Sequence, residues 1–209
     1  MTSIDVFRSD FRLPARVCIL APGPNGRGHY SQIPSDYQVI TVSKAVTIGG
    51  LPPDTIWMMC HANQPWFEEA NAGFRGLRIF GHVALEEAES YLDPRGTYYY
   101  FRASEGTLEP ETMGRVDGAI HRGTSVSGCA LQFAYNFGAL QILLCGVDMS
   151  GDAYFDGTQN VCETHGDVWH AARRMNLLIR WMEEQRGVQV ATLSETKLHV
   201  RGFRPVAAV

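Results

Sequence analysis

The residues "GVDMSGDAYFDG" (146–157) bring three carboxylates and a phenol together directly behind an apolar run, "QILLC". Asp148 stands where a strand would end. From there a carboxylate can bind a ribose hydroxyl or a metal-bound water, with Asp152 and Asp156 near enough in sequence to join it. The spacing is not that of an EF-hand, because Ala153 occupies the glycine position and Gln159 the loop-closing glutamate position. Tyr154 adds a hydroxyl able to reach a phosphate. An acidic surface turn would read the same way.

Three more stretches carry usable chemistry. "PGPNGRG" follows the first apolar run and sets Gly23, Pro24, Asn25, Gly26 and Gly28 where a phosphate-cradling loop would lie. It is neither G-x-G-x-x-G nor a Walker A, and a tight turn accounts for its glycines almost as well. "GTS" offers Thr124 or Ser125 as the cap of a helix whose free amides suit an anion. His170 falls in the first turn of a helix capped by Asp167, where the dipole opposes protonation and leaves a neutral imidazole suited to general-base work. A surface histidine is the plainer reading of the same residue. Cys162, His165 and His170 lack a fourth zinc ligand at a usual spacing.

Something must position these groups. Short apolar runs alternate with amphipathic stretches, the pattern of an α/β fold with a parallel sheet. Strands are expected at 16–21, 37–43, 55–60, 77–81, 141–147 and 188–193, with a less regular one at 97–103 near a sheet edge. Helices are expected at 64–73 and 84–92, from Thr124/Ser125 to Gly138, and from Asp167 to Gly187. In the last of these, Val168, Ala171, Met175, Leu178, Ile179 and Met182 form one apolar stripe. Ser127, Gly128, Ala130 and Ala134 are small enough for a close approach to a sheet or ligand. Residues 103–122 read as a polar loop over a site. No linker divides the chain, so residues 1–209 are expected to form one domain.

In an open parallel sheet, ligands bind beyond the carboxyl ends of the strands. That rim would gather the first loop, Ser43 and Lys44, His61, His82 and residues 148–156. The composition agrees with a small-molecule function. Eighteen Lys and Arg against 22 Asp and Glu give a net charge of −4 without a basic cluster, which argues against nucleic acid. Five cysteines, mostly inside apolar runs, suggest buried thiols and a reducing compartment. No apolar run reaches membrane-spanning length and residues 1–17 lack the apolar core of a signal peptide, so a cytoplasmic location is expected.

Two stretches resemble a known family. "RVCILAPGPNGRGHYSQIPSDYQVITVSKA" is similar to the opening of the bacterial CMP-sialic-acid-dependent sialyltransferases with a single Rossmann-like domain, and "GTSVSGCALQFAYNFGALQILLCGVDMSGDAYFDG" resembles their second half. The same layout occurs in flagellin (motility accessory) glycosyltransferases and in the 6-hydroxymethylpterin diphosphokinase-like family. The resemblance covers roughly 16–44 and 121–198. It implies a mostly parallel sheet with helices on both faces and a CMP-sugar donor. It also implies His170 as general base, Tyr154 on the departing phosphate, and Thr124 or Ser125 with Gly23 and Pro24 at the nucleotide. Asn25 and Asp148 belong to the same expected nucleotide site. Three positions differ from the family pattern: Pro22 and Ser43 replace asparagines, and Ser150 replaces a second tyrosine.

The leading expectation is therefore a nucleotide-dependent transferase for a CMP-activated, sialic-acid-like sugar, with no cofactor required. Two alternatives stay open. One is a Mg-ATP diphosphokinase-like enzyme with Mg2+ on Asp148 and Asp152; the other is a nucleotide-binding module without turnover. A homo-oligomer is compatible with either.

Overall fold

The computed structural model describes residues 2–3, 11–62, 64–87, 98–104, 119–121, 125–150, 153–158 and 165–203. Four strands are buried along nearly their whole length: β2 (Arg16–Leu20), β3 (Gln38–Val42), β4 (Ile56–Met59) and β8 (Gln141–Cys145). Continuous apolar runs of this kind belong to a parallel sheet covered on both faces. The sheet adds β1 (Thr2–Ser3), β5 (Leu77–Gly81), β6 (Tyr98–Ser104), β7 (Ala119–His121), β9 (Gln189–Thr192) and β10 (Arg201–Gly202). Its order is β1-β6-β5-β4-β3-β2-β8-β9-β10, with β7 beside β6, and every pairing is parallel. The α/β expectation holds, and each expected strand is present to within a residue or two. The strand at 98–104 lies close to the edge, flanked by the two-residue β1.

The period of two along each strand divides the core. Val17, Ile19, Ile40, Val42, Ile142 and Leu144 point to one face, while Cys18, Leu20, Val39, Leu143 and Cys145 point to the other. The first face is covered by α4 (Val126–Asn136) and α5 (His165–Arg186), through Ala130, Phe133, Ala134, Met175, Leu178, Ile179 and Met182. The other face carries Trp57, Phe67 and Phe80 in an aromatic cluster with centroids 5.0–5.9 Å apart. Short helices α1 (Gly26–His29), α2 (Phe67–Gly73) and α3 (His82–Glu87) follow β2, β4 and β5.

The stripe expected on the last helix is the buried one, but the helix starts at His165. Asp167 therefore lies inside its first turn rather than at its cap, and His170 moves to the second turn. The stop signals are where expected: Gly138 and Gly187 have φ of +104° and +66°, the left-handed region glycine enters without steric cost. Among the described residues, no helix is long and apolar enough to cross a membrane.

The chain runs outward from β2 through β3, β4, β5 and β6, then returns to lay β8 on the opposite side of β2. The direction of winding reverses between β2 and β8. That reversal point is where a doubly wound sheet opens a crevice at its carboxyl rim.

Candidate functional site

At the reversal point the first loop and the end of β8 are tied backbone to backbone. The Gly23 amide donates to the Gly146 carbonyl at 2.9 Å, extending the bond from Ala21 to Cys145 at 2.8 Å. Gly23, Gly26 and Gly146 interlock so closely that a Cβ on Gly23 would overlap the Gly146 carbonyl and the Asp148 carboxylate. One on Gly146, whose φ is +69°, would run into the Ala21 carbonyl and the Gly26 Cα. The loop glycines thus admit protein backbone, which corrects the expectation that they make room for a ligand. Gly28 has open space around it.

Asp148 fastens this knot. It is 6% exposed; its Oδ2 accepts from the Asn25 amide at 3.0 Å and its Oδ1 from the Ser194 hydroxyl at 3.3 Å. Ser194 Oγ in turn accepts from the Gly146 amide at 2.9 Å, and the Asp148 carbonyl accepts from Lys197 N at 3.0 Å. Burial pushes the Asp148 carboxyl above its ordinary range, with the bonds from Asn25 and Ser194 opposing. The sequence suggested a carboxylate facing a ribose or a metal. The structure instead uses both oxygens to pin the first loop to β8 and to the segment after β9, because the strand end is buried on both sides. The Asn25 amide is occupied likewise, while its carboxamide makes no hydrogen bond among the described residues.

A second cluster adjoins the knot. The Phe155 amide donates to the Pro22 carbonyl at 2.9 Å, docking the 153–158 turn on the first loop. Lys44, 8% exposed, sends its ammonium to Asp156 at 2.6 Å and to the Thr158 hydroxyl at 2.8 Å, and lies 5.6 Å from the centre of the Tyr154 ring. The hydrogen bond from Lys44, helped by those from Thr158, lowers the Asp156 carboxyl to about 2. Ser43 bends the chain into this cluster with φ of +50°, and its carbonyl accepts from the Trp57 indole at 3.1 Å. The tyrosine and the end of β3 thus meet at the same rim as the first loop. Asp152 and Thr124 lie outside the described residues. Among those that are described, no three His, Cys, Asp or Glu side chains gather as metal ligands. Asp148 and Asp156 each already have protein partners.

The third group belongs to α4 and α5. Ser125 caps α4, accepting from the Gly128 amide at 3.4 Å, and its hydroxyl touches the Met175 sulfur at 3.5 Å. That contact sets the start of α4 against α5. His170 lies five residues nearer the rim, about 7.5 Å of helix rise. It is exposed on the outward flank, its ring edge-on to Trp169 at 5.0 Å. The structure shows no contact, among the described residues, between His170 and the Asp148 or Lys44 clusters. Ser150 falls elsewhere again, in a groove of about 1070 Å³ with Met149, Trp169, Arg173, Lys197 and His199.

Sequence reasoning reached Gly23, Asn25, Asp148 and Tyr154 but missed what holds them. Ser194 and Lys197 sit in "LSETK", directly after the last major strand, so position at a strand's carboxyl end was the available signal. Lys44 stood among the rim residues without a role; its partners lie 112 and 114 positions away.

No family model matches the chain, and no curated protein does. Solved structures do. A variant of the sialyltransferase CST-II in complex with CMP superposes with a TM-score of 0.53 at 11% identity, covering 91% of this chain and 87% of that one. A variant of the alpha-2,3/8-sialyltransferase CstII gives 0.52 at 12% identity over the same shares. The likeness is one of fold. It extends over most of both chains, including the middle of this one, where the sequence resemblance was blank.

Proposed function

We propose that this chain is a glycosyltransferase that takes a CMP-activated nonulosonic sugar as donor. The observation that carries the reading is the superposition, along nine-tenths of the chain, on a sialyltransferase structure that holds CMP. The rim supports it with groups of the needed kinds. The first loop and Tyr154 meet at the reversal point, and the amides of the α4 start, behind Ser125, face the same edge.

In this reading the cytidine phosphate lies at the carboxyl rim. Pro24, the free carboxamide of Asn25, Ser43 and the Thr124–Ser125 helix start contact the nucleotide, Ser150 lies at its margin, and Asp148 acts by holding the Gly23–Asn25 loop in place. His170 removes the proton from the acceptor hydroxyl as that oxygen bonds to the anomeric carbon and the bond to the phosphate oxygen breaks. A solvent-facing imidazole suits this role, because the acceptor arrives from outside. Tyr154 donates a hydrogen bond to the departing phosphate, and the α4 amides stabilise its growing charge. The cation Lys44 beside the Tyr154 ring adds to the positive potential there. The reaction as drawn requires no metal.

The test is a thermal-shift panel of CMP, CDP, Mg-ATP, GTP and UDP-sugars at millimolar concentration. A ligand that binds the native state raises stability by RT ln(1 + [L]/Kd), so a preferred nucleotide stands out. The largest shift is expected with CMP. A response to Mg-ATP alone, or to none of the panel, would overturn the proposal.

A further inference from the structure

The four described cysteines form two pairs in different surroundings. Cys18 and Cys145 lie on the same face of neighbouring strands, both with no exposed surface. Burial pushes the Cys145 thiol up to about 12 and Cys18 well above its ordinary value, and Cys145 donates to the Gly26 carbonyl at 3.5 Å. A thiol that stays protonated and out of reach is inert to oxidants.

Cys60 and Cys129 are placed otherwise. Cys60 follows the last residue of β4 at the carboxyl rim and is partly exposed, whereas Cys129, 2% exposed, lies one turn into α4. They are 69 residues apart in sequence, yet their sulfurs are 3.9 Å apart. The Cys129 amide bonds to the Ser125 carbonyl at 3.0 Å, so its thiol belongs to the helix start, where the unpaired amides favour a thiolate.

We propose that Cys60 and Cys129 are a modification site: a dithiol that a hydroperoxide oxidises to a disulfide, stapling the carboxyl end of β4 to the first turn of α4. The exposed Cys60 thiolate attacks the peroxide, the O–O bond breaks, and Cys60 becomes a sulfenic acid as the alcohol or water departs. The Cys129 thiolate attacks that sulfur, the S–O bond breaks, and hydroxide leaves to take up a proton. In balance, two thiols and one hydroperoxide give one disulfide, one alcohol or water from the peroxide, and one further water. The sulfurs close from 3.9 Å to about 2.05 Å. That movement is shared between the end of β4 and the turn of α4 that Ser125 caps, so the modification acts on the rim whatever ligand occupies it.

The reduced full-length chain, treated with stoichiometric hydrogen peroxide, should lose two hydrogens. Non-reducing digestion should yield one cross-linked peptide pair joining Cys60 to Cys129, with Cys18 and Cys145 alkylated only after denaturation. Amide hydrogen exchange over residues 126–130 should slow roughly tenfold in the oxidised chain and recover on reduction. Cys129→Ser, close in size, should halt at a Cys60 sulfenic acid trapped by dimedone, and Cys60→Ser should give no adduct. A bond mapped to another cysteine, Cys60 passing to the sulfinic acid without a cross-link in the unmodified sequence, or exchange unchanged by oxidation would overturn the proposal.

Discussion

Around Gly23 and Asp148 the rim's polar groups are satisfied by the protein itself, whereas along the outer side of α5 they face outward. In the first region the amides of Gly23 and Asn25, both Asp148 oxygens and the Ser194 hydroxyl are joined in one buried network. In the second, His170 is exposed and Trp169 is 60% exposed. A group with every bond filled can hold a shape but has little capacity left for a ligand; an open group can act but fixes nothing. The difference teaches that positioning and chemistry are divided between the two halves of this rim. Mutations should separate them: losses of stability on one side, losses of turnover on the other.

The widest separation is expected at His170. His170→Ala should lower turnover by about 10²–10⁴-fold while CMP affinity, read by calorimetry, and the melting temperature stay nearly unchanged. Full activity in the alanine variant would remove the base from this position.

Next come the interlocked glycines. Gly146→Ala forces a side chain into a left-handed backbone pressed against the Ala21 carbonyl, and Gly23→Ala displaces the Asp148 carboxylate. Each should cost about 1–3 kcal/mol or more in denaturant unfolding. Gly28→Ala, in open space within α1, should be neutral or stabilising by up to about 1 kcal/mol. Equal losses at Gly23 and Gly28 would contradict the knot.

Asp148→Ala leaves the Asn25 amide and the Ser194 hydroxyl without their acceptor, a loss of about 1–3 kcal/mol. Its pH dependence sharpens the comparison with Asp156. The folded state holds the Asp148 proton more tightly than the unfolded chain does. Its contribution is therefore greatest at low pH and falls as pH rises above the ordinary value of 3.8. Asp156 has the opposite sign. Its folded value of about 2 makes its contribution full above 3.8 and lost as pH drops toward 2. Melting curves of Asp148→Asn and Asp156→Asn against the unmodified chain, from pH 2 to 6, should diverge in opposite directions.

The smallest effect is expected from Asp156→Asn at neutral pH. This partly exposed ion pair with Lys44 is worth under about 1 kcal/mol. Its removal should nonetheless loosen the 153–158 turn, visible as faster amide exchange at Gly157 and Thr158.

The fold was legible because it depends on local pattern. Continuous apolar runs such as "VCIL" and "ILLC" require cover on both faces, and the 3.6-residue stripe from Val168 to Met182 has only one way to be buried. Gly138 and Gly187 ended their helices where the sequence placed them, since a positive φ is a property of the single residue. Helix starts were less legible: the last helix begins at His165 because Asp167, a good cap, tolerates the first turn equally well.

The sequence by itself determined which side chains reach the carboxyl rim, since a strand's end and its alternation are local facts. Only the tertiary structure decided which way each rim group is used. Asp148 turns inward to Asn25 and Ser194, Lys44 closes on Asp156, and Cys60 meets Cys129, because hydrogen bonds and sulfur contacts across 46 to 123 positions depend on how the sheet brings strand ends together. Spacing along the chain carries no record of those distances.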